Sequence, residues 1–304
     1  MPEEMMNTKQ VAEYLGINEK QVYALIKAGK IPCTKVTGKW VFPRSLIDRW
    51  INVSAGEPDS GRAKPERNRG QILAAGSNDP VLDLLLGSSN NYKGALIFSC
   101  NLGSFGGLEL LGEGRCDIAW CHLFDPETGT YNIPYIASHL AGKRIALVHL
   151  FYREIGLLVA AGASGKVKKF EDIASGIRFI NRQKGSGIRI FVDHNLKKSG
   201  IDSSSVLGYG NEVCTHFEIG LSILSGGADA GISSVAISKL LGLPFIPLAR
   251  ESFDMVVGKD AFFEKPIQAF IETLRTKQFR KRVEQMGDYD FTDSGKIIYQ
   301  VGAV

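Results

Sequence analysis

Three short loops in the larger part of this chain carry residue types that hold a small anion. Gly76-Ser77-Asn78-Asp79 follows the apolar run Ile72 to Ala75 and precedes Pro80, which suits a first helical turn because it lacks an N–H that would go unused there. Asn101-Leu102-Gly103-Ser104 follows Ile97 to Cys100 and leads into Phe105-Gly106-Gly107. Arg182-Gln183-Lys184-Gly185-Ser186-Gly187 follows Ile177 to Asn181, with Arg189 in the first turn of the next helix. Each junction joins a strand to a helix start, so it offers amides with no intrahelical acceptor and a hydroxyl beside them. That is a means of holding an anion without a lysine cluster, and Arg189 would supply the one full charge. Taken singly, Ser77, Ser104 and Ser186 equally suit plain helix caps. The functional reading needs the loops to converge on one ligand.

Open α/β layers would aim such loops. From residue 70 onward, apolar runs alternate with helix-period stretches: QILAA and PVLDLLLG, ALIFSC and SFGGLELLG, then DIAWC, RIALVHL, IGLLVAA, IRFIN and GIRIFVDHNLKK. The alternation predicts a sheet of mainly parallel strands, which places ligands at strand carboxyl ends. Thr215 and Glu218 read as a capping box, which makes Glu218 structural, and Ser233 and Ser234 are lesser cleft candidates.

The N-terminal stretch has a different chemistry. Residues 8–50 pattern as two short helices, a β-hairpin and a third helix. Ala12, Gly16 and Val22 mark a close helix crossing, and Val11, Tyr14, Leu15, Leu25 and Ile26 recur at helical spacing on the faces to be buried. Lys20, Gln21, Tyr23 and Lys27 fall on or beside the outer face of the second helix, within reach of phosphates or base edges in a major groove. The hairpin Thr34 to Phe42 turns at Thr37-Gly38-Lys39, and Lys35, Lys39 and Arg44 project from it or its exit. The third helix begins near Ser45 and buries Leu46, Ile47 and Trp50. A solvated protein-interaction module is the plainer alternative.

Charge is divided accordingly. The chain has 36 Lys and Arg against 32 Asp and Glu; residues 1–70 hold 12 against 8, leaving 24 against 24 beyond. Positive potential that attracts nucleic acid is thus confined to the N-terminal piece. Residues 54–69, with Gly, Pro, alternating charges and no large apolar side chain, read as a linker. Five cysteines at irregular spacing fit reduced, mostly buried thiols, and no metal site is expected. No cleavable leader and no apolar run near the roughly 20 residues of a membrane span are present, so a cytoplasmic location is expected. The absence of phosphate-loop, nucleophile-elbow and H-E-x-x-H patterns argues against an enzyme.

Two resemblances follow from these residues. Through the Ala12/Gly16/Val22 frame, LIKAGKIP and GKWVFPRSLIDRW, residues 5–51 resemble the excisionase-type branch of the MerR-like winged helix-turn-helix family. Through AAGSNDPVLDLLL, GSFGGLELL, HLFDPETGTYN, NRQKGSGIR and SILSGGADAGIS, residues 70–260 resemble periplasmic-binding-protein-like domains of the molybdate- and tungstate-binding type. The second resemblance implies an α/β domain over 70–304 with two lobes, about 70–155 plus 249–304 and about 156–248, closing on an oxyanion. It nominates Ser77, Asn78, Ser104, Ser186 and Arg189 as ligand residues, with His122 facing the cleft. Asp79 stands where a tungstate binder clusters Ser and Thr, and would repel a dianion if it pointed inward. The expected protein is a one-component regulator that binds double-stranded DNA as a homodimer and senses a small anion, with no cofactor. A cytoplasmic anion-storage protein with an interaction module is the alternative.

Overall fold

The computed structural model describes residues 4–36, 38–54, 71–89, 96–287 and 289–301. Two compact units result, Met1–Arg67 and Asn68–Val304. Apart from Ser54, which ends a helix, the expected linker lies outside the described residues, as does Thr37 of the hairpin turn.

In the small unit, strand β1 (Met5–Asn7) leads into α1 (Thr8–Leu15) and α2 (Glu19–Lys27). The hairpin β2 (Thr34–Val36) and β3 (Lys39–Pro43) precedes α3 (Arg44–Ser54). The sheet order is β1-β3-β2, all antiparallel. Gly38 has φ of +84°, the left-handed backbone that the turn requires. Both helices begin at an Asn that exchanges hydrogen bonds with a Gln three residues on, Asn7 with Gln10 and Asn18 with Gln21. Met6, Val11, Ala12, Val22, Ile31, Phe42 and Ile47 form the core. Three expected core residues lie outside it: Trp50 is half-buried, Leu46 is 40% exposed, and Tyr14 is 43% exposed because its hydroxyl reaches Asp48 at 2.5 Å.

The large unit runs β4 (Gln71–Gly76), α4 (Pro80–Ser89), β5 (Leu96–Asn101), α5 (Gly103–Gly112), β6 (Ile118–Cys121), β7 (Phe124–Asp125), β8 (Thr130–Tyr131) and α6 (Ile133–His139). Next come β9 (Ile145–Val159), β10 (Phe179–Arg182), α7 (Gly187–Lys198), β11 (Glu212–Val213), α8 (His216–Leu224), β12 (Ala230–Ser234) and α9 (Val235–Leu241). It closes with β13 (Phe245–Gly258), α10 (Lys259–Phe262), α11 (Lys265–Thr273), α12 (Lys277–Val283) and β14 (Ile297–Val301). One sheet runs β11-β10-β12-β9-β13-β6-β4-β5, and β14 adds to β9.

That sheet departs from the mainly parallel expectation. Its two flanks are parallel, but β9, β13 and their neighbours pair antiparallel. RIALVHL and IGLLVAA, separate in the sequence reading, are one strand. Its polar middle, Tyr152-Arg153-Glu154, continues the ladder opposite Arg250-Glu251-Ser252 of β13. The apolar core divides there. Val148, Leu150 and Phe151 of β9 join a first core with Val81, Leu85, Trp120, Phe253 and Phe270. Ile155, Leu157 and Val159 join a second with Phe179, Val192 and Ile232. A two-lobed α/β fold follows, with both long strands passing through the junction. No disulfide joins the five cysteines, but only Cys116 and Cys121 are buried; Cys100 and Cys214 are exposed, which corrects the mostly buried expectation.

Candidate anion site and candidate nucleic-acid surface

The junction between the lobes is a buried polar cluster. Ser77 at the end of β4, His122 after β6, Ser104 in α5 and Gly187 opening α7 meet around one imidazole. His122 Nε2 lies 2.6 Å from Ser77 Oγ, its Nδ1 lies 3.1 Å from Glu251 Oε2, and its backbone N–H donates to Ser104 Oγ at 3.2 Å. Gly187 belongs to the other lobe, and a Cβ there would lie 2.4 Å from the His122 carbonyl oxygen and 2.6 Å from the ring, so only glycine allows this approach. Phe105 N–H donates to Gly185 O at 3.2 Å, again across the lobes. The three loops therefore do converge.

Arg153 and Glu251 bind the cluster together. Arg153, fully buried, pairs with Asp79 and Glu251 and places Nη2 3.1 Å from His216 Nε2. Burial alone would lower its pKa, but Glu251 and Asp79 outweigh that and raise it. Burial would likewise raise the Glu251 carboxyl, yet Arg153 and His122 hold it below its usual range. Asp79 also receives the Val81 N–H at 2.7 Å and the Tyr289 hydroxyl at 3.0 Å. It points to Arg153, so the feared repulsion of an anion is cancelled at its source.

Arg182, the last residue of β10, has no such partner. Its Nη2 donates to Cys214 O at 2.8 Å and to Asn78 Oδ1 at 3.4 Å, its Nε to Gln183 Oε1 at 3.1 Å, and Nη1 has no hydrogen-bond partner among the described residues. Burial first, and Arg153 second, push its pKa down to about 10, the mark of a guanidinium short of negative charge. His216 is pushed well below 6.5 by burial and then by both guanidinium groups, and His122 is lowered by burial against the pull of Glu251. Asp79 and Glu251 are both engaged with Arg153, and no carboxylate of the cluster pairs with Arg182. The hydroxyl–imidazole–carboxylate order can activate a nucleophile or orient an acceptor. A buried guanidinium without a carboxylate favours the second, because it calls for a resident anion.

The PBP superfamily domain matches residues 88–275. The chain belongs to the PBP superfamily. A helix-turn-helix domain matches residues 5–52. The Bacillus subtilis (strain 168) protein YvgK is 30% identical over 301 residues, 96% of this chain and 97% of that one. A Clostridium pasteurianum protein from the 5′ region of the ferredoxin 2Fe-2S gene is 27% identical over 113 residues, 37% of this chain and all of that one. A transporter substrate-binding protein from Clostridium perfringens, crystallised with bound phosphate, superposes at a TM-score of 0.53 with 13% identity, over 71% of this chain and 98% of that one. That likeness speaks to the fold.

Within the PBP domain the nominated residues divide. Ser77, Asn78, Ser104, His122 and Ser186 are buried at the junction. Arg189 is not free for it: its guanidinium reaches Glu212 at 2.5 Å and Asp193 at 3.0 Å and stacks 4.4 Å from the Tyr209 ring centre. Position, not type, decides this, since a first-turn side chain of α7 leans toward β11 while the end of β10 faces the other lobe. His122, expected to face the cleft either as a ligand donor or as a satisfied structural histidine, has both ring nitrogens engaged. Of the three serines only Ser186 is a cap, accepting from Arg189 N at 3.1 Å; Asp79 takes the capping role at α4, and α5 has no side-chain cap. Ser233 receives His216 within 3.0 Å, and Glu218 is engaged with Thr215, as its structural reading required. Arg153, Glu251, His216 and the role of Arg182 were missed. The pairing of Arg153 with Glu251 depends on strand register, which no local signal marks.

On the head, Lys20, Tyr23 and Lys27 are exposed along α2, and Lys35 and Lys39 along the hairpin, with Lys35 Nζ 5.6 Å from the Trp40 ring centre. Two nominated residues are engaged internally. Gln21 Oε1 accepts the Asn18 N–H at 3.0 Å in the capping box. Arg44 does not project: it pairs with Glu4 at 2.7 Å and lies 5.0 Å over the Tyr14 ring.

Proposed function

We propose that this chain is a one-component transcriptional regulator whose binding-protein-like domain senses a small oxyanion. The observation that carries the sensor half is Arg182: a buried cation beside Asn78, with one nitrogen unsatisfied and no carboxylate paired with it among the described residues. Ser104 and Ser186 supply hydroxyls from facing lobes, and Arg182 supplies charge in the place expected of Arg189. Molybdate and tungstate are candidates from the sequence resemblance, and phosphate from the solved neighbour; no cofactor is required. A ligand favours the closed form only through its greater affinity for that form, and closure in turn alters the DNA affinity of the head. Lys20, Tyr23 and Lys27, with Lys35 and Lys39 of the wing, are the proposed DNA contacts, and a homodimer on paired half-sites is the proposed active form.

Electrophoretic mobility shift on the gene's own upstream region tests the regulator half. Retardation should appear at low salt, weaken steeply as salt rises, and be lost in the Lys20→Ala/Lys27→Ala variant. Retardation that persists unchanged in that variant would move the DNA surface elsewhere. Calorimetry with molybdate, tungstate, phosphate, sulfate and small carboxylates tests the sensor half.

A further inference from the structure

The balanced charge of the large unit hides one concentration. The eight residues Arg275 to Arg282 hold five Arg or Lys and no acid, with Glu272 and Glu284 just beyond either end. Helix α12 fixes them in place: Phe279 and Val283 are sunk in the first core, and Thr276 Oγ1 caps the helix by accepting the Phe279 N–H at 3.3 Å. Arg275, Lys277, Arg280, Lys281 and Arg282 are all exposed around that anchor. Helix stability does not account for them. Cations suit the last turn, where Arg280, Lys281 and Arg282 stand, but Arg275 and Lys277 flank the cap at the opposite end, where the aligned peptide dipoles repel positive charge.

Nor are these cations neutralised. Among the described residues no carboxylate pairs with any of the five, whereas Arg115, Arg178, Arg250 and Lys296, exposed elsewhere on this unit, each pair with an acid. Two of the five are nonetheless held. Arg282 Nη1 donates to Ser88 Oγ at the end of α4 at 3.1 Å, and Arg280 Nε donates to the Leu274 carbonyl at 3.1 Å. Neutral partners orient a guanidinium and leave its charge to a further anion. The surface fits a polyanion without an apolar centre. A protein partner would ask for a buried apolar core, yet the only apolar side chains of α12, Phe279 and Val283, face inward; a phosphate backbone asks for cations alone.

We propose that α12 is a second DNA-contacting surface, which grips phosphates beside the site read by the head and reads no bases. This rests on the regulator reading above and extends DNA contact from the small unit to the large one. Each α12 cation that meets a phosphate releases a counterion whatever the sequence, so the surface adds affinity and salt dependence but no specificity.

The test is binding of the full chain to a duplex of the gene's own upstream region, and to a scrambled duplex of equal length, followed by fluorescence anisotropy across a salt series. In Lys277→Ala/Lys281→Ala, which spares both hydrogen-bonded arginines, the slope of log affinity against log salt should fall by about two. Affinity at about 0.1 M salt should drop about tenfold or more, while preference for the upstream duplex stays within about threefold of wild type. Lys197→Ala/Lys198→Ala, an equal loss of charge at the end of α7, should match wild type. An unchanged slope in the α12 variant would overturn the inference, return the surface to an acidic protein partner and leave the regulator standing. An equal fall in the α7 variant would overturn it too, because net charge alone would then explain the effect. A lost preference in the α12 variant would mean base reading, which the inference forbids. Should the α12 pair not fold by its melting profile, Lys281→Ala alone decides, with a slope smaller by about one. If wild type binds neither duplex at low salt, the regulator reading fails and the inference with it.

Discussion

Arg182 and Arg189 are the same residue type seven positions apart, and their surroundings give them opposite expected behaviour. Arg182→Met removes a buried cation that lacks a counter-charge, so the ligand-free protein should melt no lower, while oxyanion affinity falls about a hundredfold or more. Arg189→Ala should leave oxyanion affinity within about threefold and lower stability by about 1 kcal/mol, since its carboxylate partners are partly exposed. Titration calorimetry and urea melts of the two variants check this; the opposite ranking would place the ligand at α7. The buried imidazoles make a second prediction. His216 and His122 have folded pKa values below 6.5, so under pH 6.5 the unfolded chain binds protons that the folded chain refuses. Stability from this source is present above about pH 6.5 and declines as pH falls through it, and Glu251, held below 4.5, adds a further loss in acid. The facing groups, Arg153, Arg182 and Glu251, are already paired or buried and do not reverse that sign. A urea midpoint that rises between pH 7 and pH 5 would contradict it.

Among the elements, α7 and α2 repay attention. The first residue of α7, Gly187, is where one lobe's helix start touches the other lobe's imidazole. Gly187→Ala should fold, because the helix gains a better former, yet weaken oxyanion binding about tenfold or more by holding the lobes apart. A crystal structure or small-angle scattering of the variant should show a more open domain; unchanged affinity would mean the approach is not part of closure. In α2, Gln21 was legible as a polar residue near the groove-facing side, but its spacing from Asn18 also writes a capping box. Asn18→Ala should therefore cost about 1 kcal/mol without contacting DNA. The helix starts and hairpin were readable because caps, turns and 3.6-residue periodicity act within a few positions. The long strands were not, because Tyr152-Arg153-Glu154 breaks the apolar run that marks a buried strand, and only the partner strand explains why charges stand there.

For the molecule as a whole, sensing must appear as linkage. An anion that binds the folded form alone should stabilise the chain by about 2.7 kcal/mol at a hundred times its dissociation constant, and the melting temperature should rise with the logarithm of its concentration. Sedimentation velocity with and without operator DNA tests the dimer; a monomer at every concentration, bound one per site, would remove it. The composition also bears on this scale. A large unit with balanced charge has no broad field with which to gather anions, so in the proposed sensor selectivity would rest on the few donors buried at the junction.

Sequence alone determined the helix-turn-helix head, its basic second helix, the α/β character of the remainder and the three serine-bearing loops. Each of these depends on side chains close together along the chain, where spacing and turn chemistry are visible. The tertiary structure decided which arginine stands alone, where Asp79 points, and that Ser77, His122 and Glu251 share a line of hydrogen bonds. Those facts arise when residues up to 174 positions apart, Ser77 and Glu251, are brought together through one imidazole by two crossing strands. Burial then raises the cost of every unpaired charge, so that partnership, and not residue type, assigns each role.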